Sequence, residues 1–445
     1  MDKKPNTKRG LSSFQIIILG FAGVVLLGAL LLMLPISSQS REFTPFNEAL
    51  FTSTSAACVT GLVVHDTATY WSAFGQSVIL VLIQIGGLGV VTVAASLALL
   101  SGRKISLMQR STMQEAIAAP KVGGIVRLTL FILKATLIFE LAGAVVMMPV
   151  FCRDFGARGI WMAVFHSISA FCNAGFDVMG SADAPYQSLT SYATDPVINI
   201  AAILLIIIGG IGFLTWEDIY TNRHHIKRYR MQSKIILLFT AFLILVPAVF
   251  FFFSDFSSLP LKERIFSSLF QAVTPRTAGF NTADLTAMTG GGRAIIILLM
   301  IIGGSPGSTA GGMKTTTFAV LIINAIAIFR RKEDAEAFGR RLDGGIIRHA
   351  TAIFVMYISL FFTGAIIISA AESLPLGTCL FETASAVGTV GLTLGITPSL
   401  GYISQVILIL LMFLGRVGGL TLIYAALSRP HKKASKLPQE RITVG

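Results

Sequence analysis

Charged residues are scarce in this sequence: Asp, Glu, Lys and Arg make up 13% of the 445 residues. A soluble domain carries roughly 25%, so the shortage excludes an ordinary water-soluble globule. Cysteine is also rare. The four present, Cys58, Cys152, Cys172 and Cys379, include no CxxC pair, which argues against a disulfide framework or a thiolate metal site and predicts free thiols. Histidine is limited to six residues, and the adjacent pair His224-His225 lies in a basic stretch with no acidic ligands nearby. No nucleophile constellation or His/Asp/Glu cluster stands out, so neither an enzyme, an organic cofactor nor a transition-metal centre is expected.

What is abundant is apolar sequence. Hydrophobic residues make up 54% of the chain, and many runs of about 20 residues hold few or no charges. These features predict an all-α polytopic protein of the cell membrane. The first run, residues 14–34, is too long for a cleaved signal peptide and reads as a retained span. The formal charge of +13 could point to nucleic acid, but its distribution does not. Most Lys and Arg fall near the N-terminus and in residues 103–127, 223–234, 330–348 and after 428. Between these stretches lie segments with far fewer, the positive-inside pattern, with both termini cytoplasmic. The basic stretches are expected to set orientation and touch membrane lipids, with no nucleic acid as partner.

A short segment occurs four times: FTSTSAACVTGLVV (51–64), FHSISAFCNAGFDV (165–178), LFQAVTPRTAGFNT (269–282) and FETASAVGTVGLTL (381–394). Aligned without gaps, the copies share Gly61, Gly175, Gly279 and Gly391, each followed by Leu or Phe. Ser-Ala stands six and five positions earlier in three copies, and Val273-Thr274 in the third. The spacing is about a quarter of the chain, an internal repeat. Each quarter starts with a full apolar run (14–34, 128–148, 235–253, 346–371), continues with a run of about a dozen residues ending at the glycine, and closes with a second full run (74–100, 197–220, 294–329, 403–427). A dozen residues cannot cross as a helix, so the middle elements are expected to be re-entrant. Each second run carries a glycine cluster: GGLG, GGIG, GGSPG and GRVGG.

Every unit thus returns to the side it started from. Four parallel helix–re-entrant pore loop–helix units, with pseudo-fourfold symmetry around a central pore, are expected at residues 14–100, 126–221, 233–330 and 346–428, between tails 1–13 and 429–445. The third unit is expected to have a broken second helix. Irregular backbone at membrane depth survives only where it is buried in protein or lines water. The filter is therefore placed at Val59, Thr60 and Gly61; Asn173, Ala174 and Gly175; Thr277, Ala278 and Gly279; and Thr389, Val390 and Gly391. These residues offer no carboxylate ring. They offer carbonyl oxygens, which glycine can turn toward one axis and which replace a hydration shell in potassium filters. K⁺ is the transported ion on this reading.

The chain resembles the membrane subunits of the Trk/Ktr/HKT superfamily of potassium transporters, above all the KtrB-like subunits of bacterial Ktr systems. The resemblance spans residues 14–427 and rests on the four filter segments, on IGGSPGSTAGGMKTTT, and on the arginine of FLGRVGG. Trk-type subunits usually carry extra N-terminal spans, which precede no part of this sequence. Some plant relatives replace the first filter glycine by serine and favour sodium, so Gly61 favours potassium. The resemblance implies a homodimer with one pore per subunit. It also implies a cytosolic KtrA-like nucleotide-binding ring that gates the pore, and Na⁺ as an activator.

The resemblance also marks an intramembrane gate: Gly303, Gly304, Ser305, Pro306, Gly307, Ser308, Thr309, Ala310, Gly311, Gly312, Met313, Lys314, Thr315, Thr316 and Thr317. Pro306 and the paired glycines interrupt a helix there, and the small polar residues can line water. Met313 stands between Gly312 and Lys314, so the stretch does not match a phosphate-binding loop. Arg416, alone in an apolar run, takes the place of a glycine found in the other clusters and is assigned to the gate, where it would repel a cation. Arg276 is expected to anchor the variant third segment. Lys134 and Glu140 are read as lying near a helix end or paired between helices, and Lys314 as snorkelling. Glu48, Asp177 and Glu382 are candidates to attract cations at the mouth. The basic stretches 223–234 and 330–341 are candidate docking surfaces for a cytosolic partner, against a plain role in orientation. The expected function is potassium uptake through a gated, channel-like pore. The rival, an alternating-access cation symporter, would need inverted halves around a midplane carboxylate site.

Overall fold

The computed structural model describes residues 12–101, 105–117 and 123–418, with single residues at 438, 440 and 443. The tails, the last ten residues of the fourth unit and several basic residues named above lie outside the described residues.

Helices follow one another in a repeated order. α1 (Ser13–Leu32) is long and apolar, α2 (Phe46–Ala57) is short, and α3 (Ala73–Leu88) and α4 (Val90–Leu100) come next. α5 (Leu107–Ile117) leads to the second set: α6 (Ile125–Phe155), α7 (Arg158–Phe171), α8 (Pro196–Gly210) and α9 (Phe213–Asn222). The third is α10 (Met231–Phe253), α11 (Leu261–Val273), α12 (Gly290–Ile301) and α13 (Thr315–Phe329). A two-stranded ribbon, β1 (Glu336–Ala337) and β2 (Arg340–Arg341), precedes α14 (Gly344–Glu372), α15 (Leu376–Gly388) and α16 (Tyr402–Val417). Four of these helices are long and apolar enough to cross a membrane, and up to six spans result if each bent pair counts as one. The chain is an all-helical, multi-pass membrane protein.

Local sequence explains the boundaries. Asp195 caps α8, with Pro196 at its first position, while Thr289 caps α12 and Asp343 caps α14. α6 outruns its apolar stretch at both ends, taking in Arg127, Arg153 and Asp154, because polar residues continue a helix once it leaves hydrocarbon. Its Pro149 does not end it. Pro35, at the matching place, starts a 3₁₀ turn after α1.

Two further helices are broken beyond the one expected. α3 and α4 meet at 94°, and α8 and α9 at 98°. The breaks fall at Gly89 (φ 85°) and Gly212 (φ 93°), backbone open mainly to glycine. The apolar runs continue through the bends, so hydropathy alone could not show them. In the third set a loop at residues 302–314 separates α12 from α13.

Each long helix packs on the short helix after it. Gly28 of α1 faces Ser53 and Gly143 of α6 faces Ser167, and a Cβ at either glycine would come within 2.5 Å of that serine's Oγ. Such small-residue contacts bring helices close in lipid. Buried apolar side chains form two large clusters, one mainly from the first two sets and one mainly from the last two. The second borrows Phe51, Cys58 and Leu62 from α2 and its loop.

Candidate ion-conduction site

The four short helices end where the four glycine segments begin. α2 and α7 stop at Cys58 and Cys172, and α11 and α15 at Thr274 and Thr389. In each copy, the residue two before the glycine has positive φ: Val59 57°, Asn173 59°, Thr277 72° and Thr389 52°. The glycines follow with 92°, 68°, 80° and 96°. A β-branched residue in this region is strained, and such strain persists only where the surroundings over-determine it. Four copies of one strained pattern mark a shared demand on the backbone.

Close contacts show how the segments meet. A Cβ on Gly61 would lie 2.4 Å from the carbonyl oxygen of Ala174, one on Gly175 2.8 Å from that of Ala278, one on Gly279 2.3 Å from that of Val390, and one on Gly391 2.2 Å from that of Thr60. The circuit closes in chain order, so four glycines and four backbone carbonyls form one ring. A side chain at any of these positions would force a neighbouring carbonyl to shift.

Hydroxyl groups brace the ring from behind. Gly61 and Gly391 N–H donate to Ser55 and Ser385 Oγ, both at 3.0 Å. Ser169 Oγ donates to the carbonyl of Phe176 at 2.7 Å, and Thr274 Oγ1 to that of Phe280. Thus Thr274, one position later than the serines, does the third copy's share. The recurring Ser-Ala pairs were the sequence signal for these struts. Ser55→Ala and Ser385→Ala should each cost roughly 1 kcal/mol of local order, and cation flux assays should show weakened discrimination with folding retained. Unchanged discrimination in both would reduce the hydroxyls to helix packing.

The loop between α12 and α13 runs against two of these segments. Thr309 Oγ1 is 3.0 Å from both the Phe171 carbonyl and Asn173 Oδ1. A Cβ on Gly311 would lie 2.1 Å from Thr389 Oγ1, and one on Gly312 2.8 Å from the Gly388 carbonyl. The loop is tied to the α8–α9 break through Ser305 N–H to Gly210 O (3.0 Å) and Thr309 N–H to Gly209 O (3.2 Å). Gly312 N–H reaches the carbonyl of Gly415 at 3.1 Å.

Arg416 closes this arrangement. Its guanidinium donates to the carbonyls of Thr309 and Gly86, and to that of Gly87 at 3.1 Å. It therefore clamps the loop to the bent α3 by backbone carbonyls, with no carboxylate involved. Lys314 Nζ curls back to Ala310 O (2.8 Å) and Gly311 O (3.4 Å), carbonyls of its own loop.

Residues 2–437 match the TrkH family, described as cation transport protein. The chain belongs to the TrkH family. It is 38% identical to the potassium/sodium uptake protein NtpJ of Enterococcus hirae, with 99% of each chain covered. It is 38% identical to the Ktr system potassium uptake protein B of Bacillus subtilis, covering 92% of each. The crystal structure of the potassium transporter TrkH from Vibrio parahaemolyticus superposes with TM-score 0.74 at 19% identity, covering 96% of this chain and 87% of that one, which is a likeness of fold. TrkH-family membership makes the chain one of a family of cation transporters, not of enzymes.

Against the TrkH fold, the remaining candidates sort clearly. Arg276 is buried and joins its segment to α10 and α13, its Nη2 3.3 Å from Thr240 Oγ1 and 3.4 Å from Thr315 Oγ1. The mouth carboxylates are occupied locally. Glu382 is fully buried and accepts from Thr393 at 2.8 Å and from Thr397, Glu48 pairs with His65 at 2.6 Å, and Asp177 accepts from Met179 N–H at 3.0 Å. Glu140 is not paired with Lys134. Gln84 Nε2 donates to it at 3.3 Å, with the Cys172 thiol 3.8 Å away. All four cysteines are free, and no group of three or more metal-ligating side chains occurs among the described residues.

Proposed function

We propose that the chain is the potassium-conducting membrane subunit of a Ktr-type uptake system. The observation that carries this reading is the closed ring of Gly61, Gly175, Gly279 and Gly391 with the carbonyls of Thr60, Ala174, Ala278 and Val390. Alternating left-handed residues turn successive carbonyls toward one side, and four such segments around an axis replace the water around a dehydrated cation. The short helices ending at the ring direct their partly negative C-termini at it. Four parallel units, at residues 14–100, 126–221, 233–330 and 346–428, surround this central pore with approximate fourfold symmetry.

The stretch 303–317, a loop followed by the first residues of α13, lies across the inner end of the filter and acts as the gate, held shut by Arg416. The relatives support the cargo: NtpJ is a potassium/sodium uptake protein, and the Bacillus subtilis relative is a potassium uptake protein of a Ktr system. The resemblance to KtrB-like subunits implies further that the subunit works as a homodimer under a cytosolic nucleotide-binding ring, with sodium as an activator. The basic stretches 223–234 and 330–348 face the cytoplasm.

The test is ion flux in proteoliposomes holding the full chain, with and without the cytosolic partner. Potassium should move passively down its gradient in preference to sodium. If neither ion moves under either condition without a proton or sodium gradient, the pore reading fails and an alternating-access symporter takes its place.

A further inference from the structure

Between α6 and the bent pair α8–α9 lies a groove of about 530 Å³, within the ~300–1,000 Å³ range of pockets that hold small ligands. Its walls are apolar and aromatic, among them Phe131, Ile138, Ile208, Trp216 and Tyr220. One cation stands in it, Lys134. The 98° turn at Gly212 opens the groove by swinging α9 away from the line of α8.

The aromatic wall is fixed. Trp216 packs at 5.6 Å on Phe139, 5.7 Å on Phe171 and 5.1 Å on Phe213, and its Nε1 is already used, donating to the Ile208 carbonyl at 2.8 Å. Tyr220 and Ile138 are 74% and 65% exposed, so the groove is open to the surroundings of the helices. Lys134 is exposed and makes no hydrogen bond or ion pair among the described residues. An unpaired ammonium on an apolar span is costly and calls for an anionic partner.

Depth identifies that partner. α6 has 31 residues, hence a length of about 46 Å, against a hydrocarbon thickness of ~30 Å. Lys134 stands about 14 Å along the helix from Ile125. Its stem can therefore bring the ammonium to the headgroup boundary. Arg127 lies seven residues earlier, on the same helical face, and is exposed. The long helices of a second copy offer no free carboxylate: among the described residues theirs are Glu140, Asp154 and Glu372, and each is hydrogen-bonded within the chain.

We propose that this groove binds an anionic phospholipid, with an acyl chain along the apolar wall and Lys134 against the headgroup phosphate. A cation near the membrane surface contributes about 1 kcal/mol of attraction to an anionic lipid, roughly five-fold in binding.

The test is native mass spectrometry of the purified full-length protein, comparing retained phosphatidylglycerol with phosphatidylcholine. Wild-type protein should retain phosphatidylglycerol roughly five-fold more. Lys134→Gln should abolish the preference and Lys134→Arg should keep it. Ala135→Trp, which fills the groove, should lower retention of both lipids. Free glycerol phosphate should not compete, because the headgroup alone lacks the chain. Equal retention of the two lipids by wild type, or an undiminished preference in Lys134→Gln, overturns the proposal. So does competition by free glycerol phosphate, or efficient cross-linking of two copies through Ile138→Cys beyond that of wild type.

Discussion

Proteoliposomes holding Gly391→Ala or Gly61→Ser protein should pass potassium at least ~ten-fold more slowly than wild type and discriminate poorly against sodium, a ten-fold change being about 1.4 kcal/mol. Two costs coincide at these positions. The backbone sits at φ 96° and 92°, where a side chain is strained by roughly 1–3 kcal/mol. The new Cβ would also press to 2.2 and 2.4 Å from the carbonyls of Thr60 and Ala174. Those oxygens must move, and on the proposed reading they are the groups that hold the ion. Gly175 offers a graded control, with φ 68° and 2.8 Å of room. Gly175→Ala should retain more flux than Gly391→Ala. Equal and full activity in all three would dissociate the ring from conduction.

The second large effect concerns Arg416. Arg416→Gln should raise passive potassium flux about ten-fold, a change of about 1.4 kcal/mol in the gate's equilibrium. Hydrogen bonds to a charged group contribute roughly 1.5–3 kcal/mol each, and this guanidinium makes them to Thr309 on the loop and to Gly86 and Gly87 on α3. Its removal frees the loop from one of several anchors. The others remain, through Ser305 and Thr309 to the carbonyls of Gly210 and Gly209 and through Gly312 to that of Gly415, so the loop should loosen without the fold collapsing. A monodisperse protein with unchanged flux would make Arg416 a structural clamp only, while loss of folded protein would call for Arg416→Lys, which keeps the charge but not the fork.

Much of this was legible in the sequence for a physical reason: a backbone geometry demanded four times leaves the same residue four times. The register of the four glycines predicted segments that meet, and the dozen-residue runs predicted short helices ending at them. Other features left no such trace. Val59, Thr277 and Thr389 have left-handed backbone although nothing in their side chains announces it, and Asn173 alone is of a type that adopts it readily. The bends at Gly89 and Gly212 fall in the GGLG and GGIG clusters, but apolar sequence continues across them and the runs read as straight spans. The partners of Arg416 are carbonyls, which every residue has, so its charge was visible in the sequence but its contacts were not. The carboxylates beside the segments have partners that the sequence did not show. Glu48 and Glu382 looked available as isolated letters, yet His65, Thr393 and Thr397 engage them locally.

The circuit from Gly61 through Gly175 and Gly279 to Gly391 is drawn by a single polypeptide. In an assembly of four identical subunits, one codon change alters all four sides of such a ring at once. Here it alters one side and leaves three untouched. On the proposed reading, selectivity can therefore drift in quarter steps, each exposed to selection separately, and the third segment, with Pro275-Arg276 and its displaced Thr274, is already one such departure.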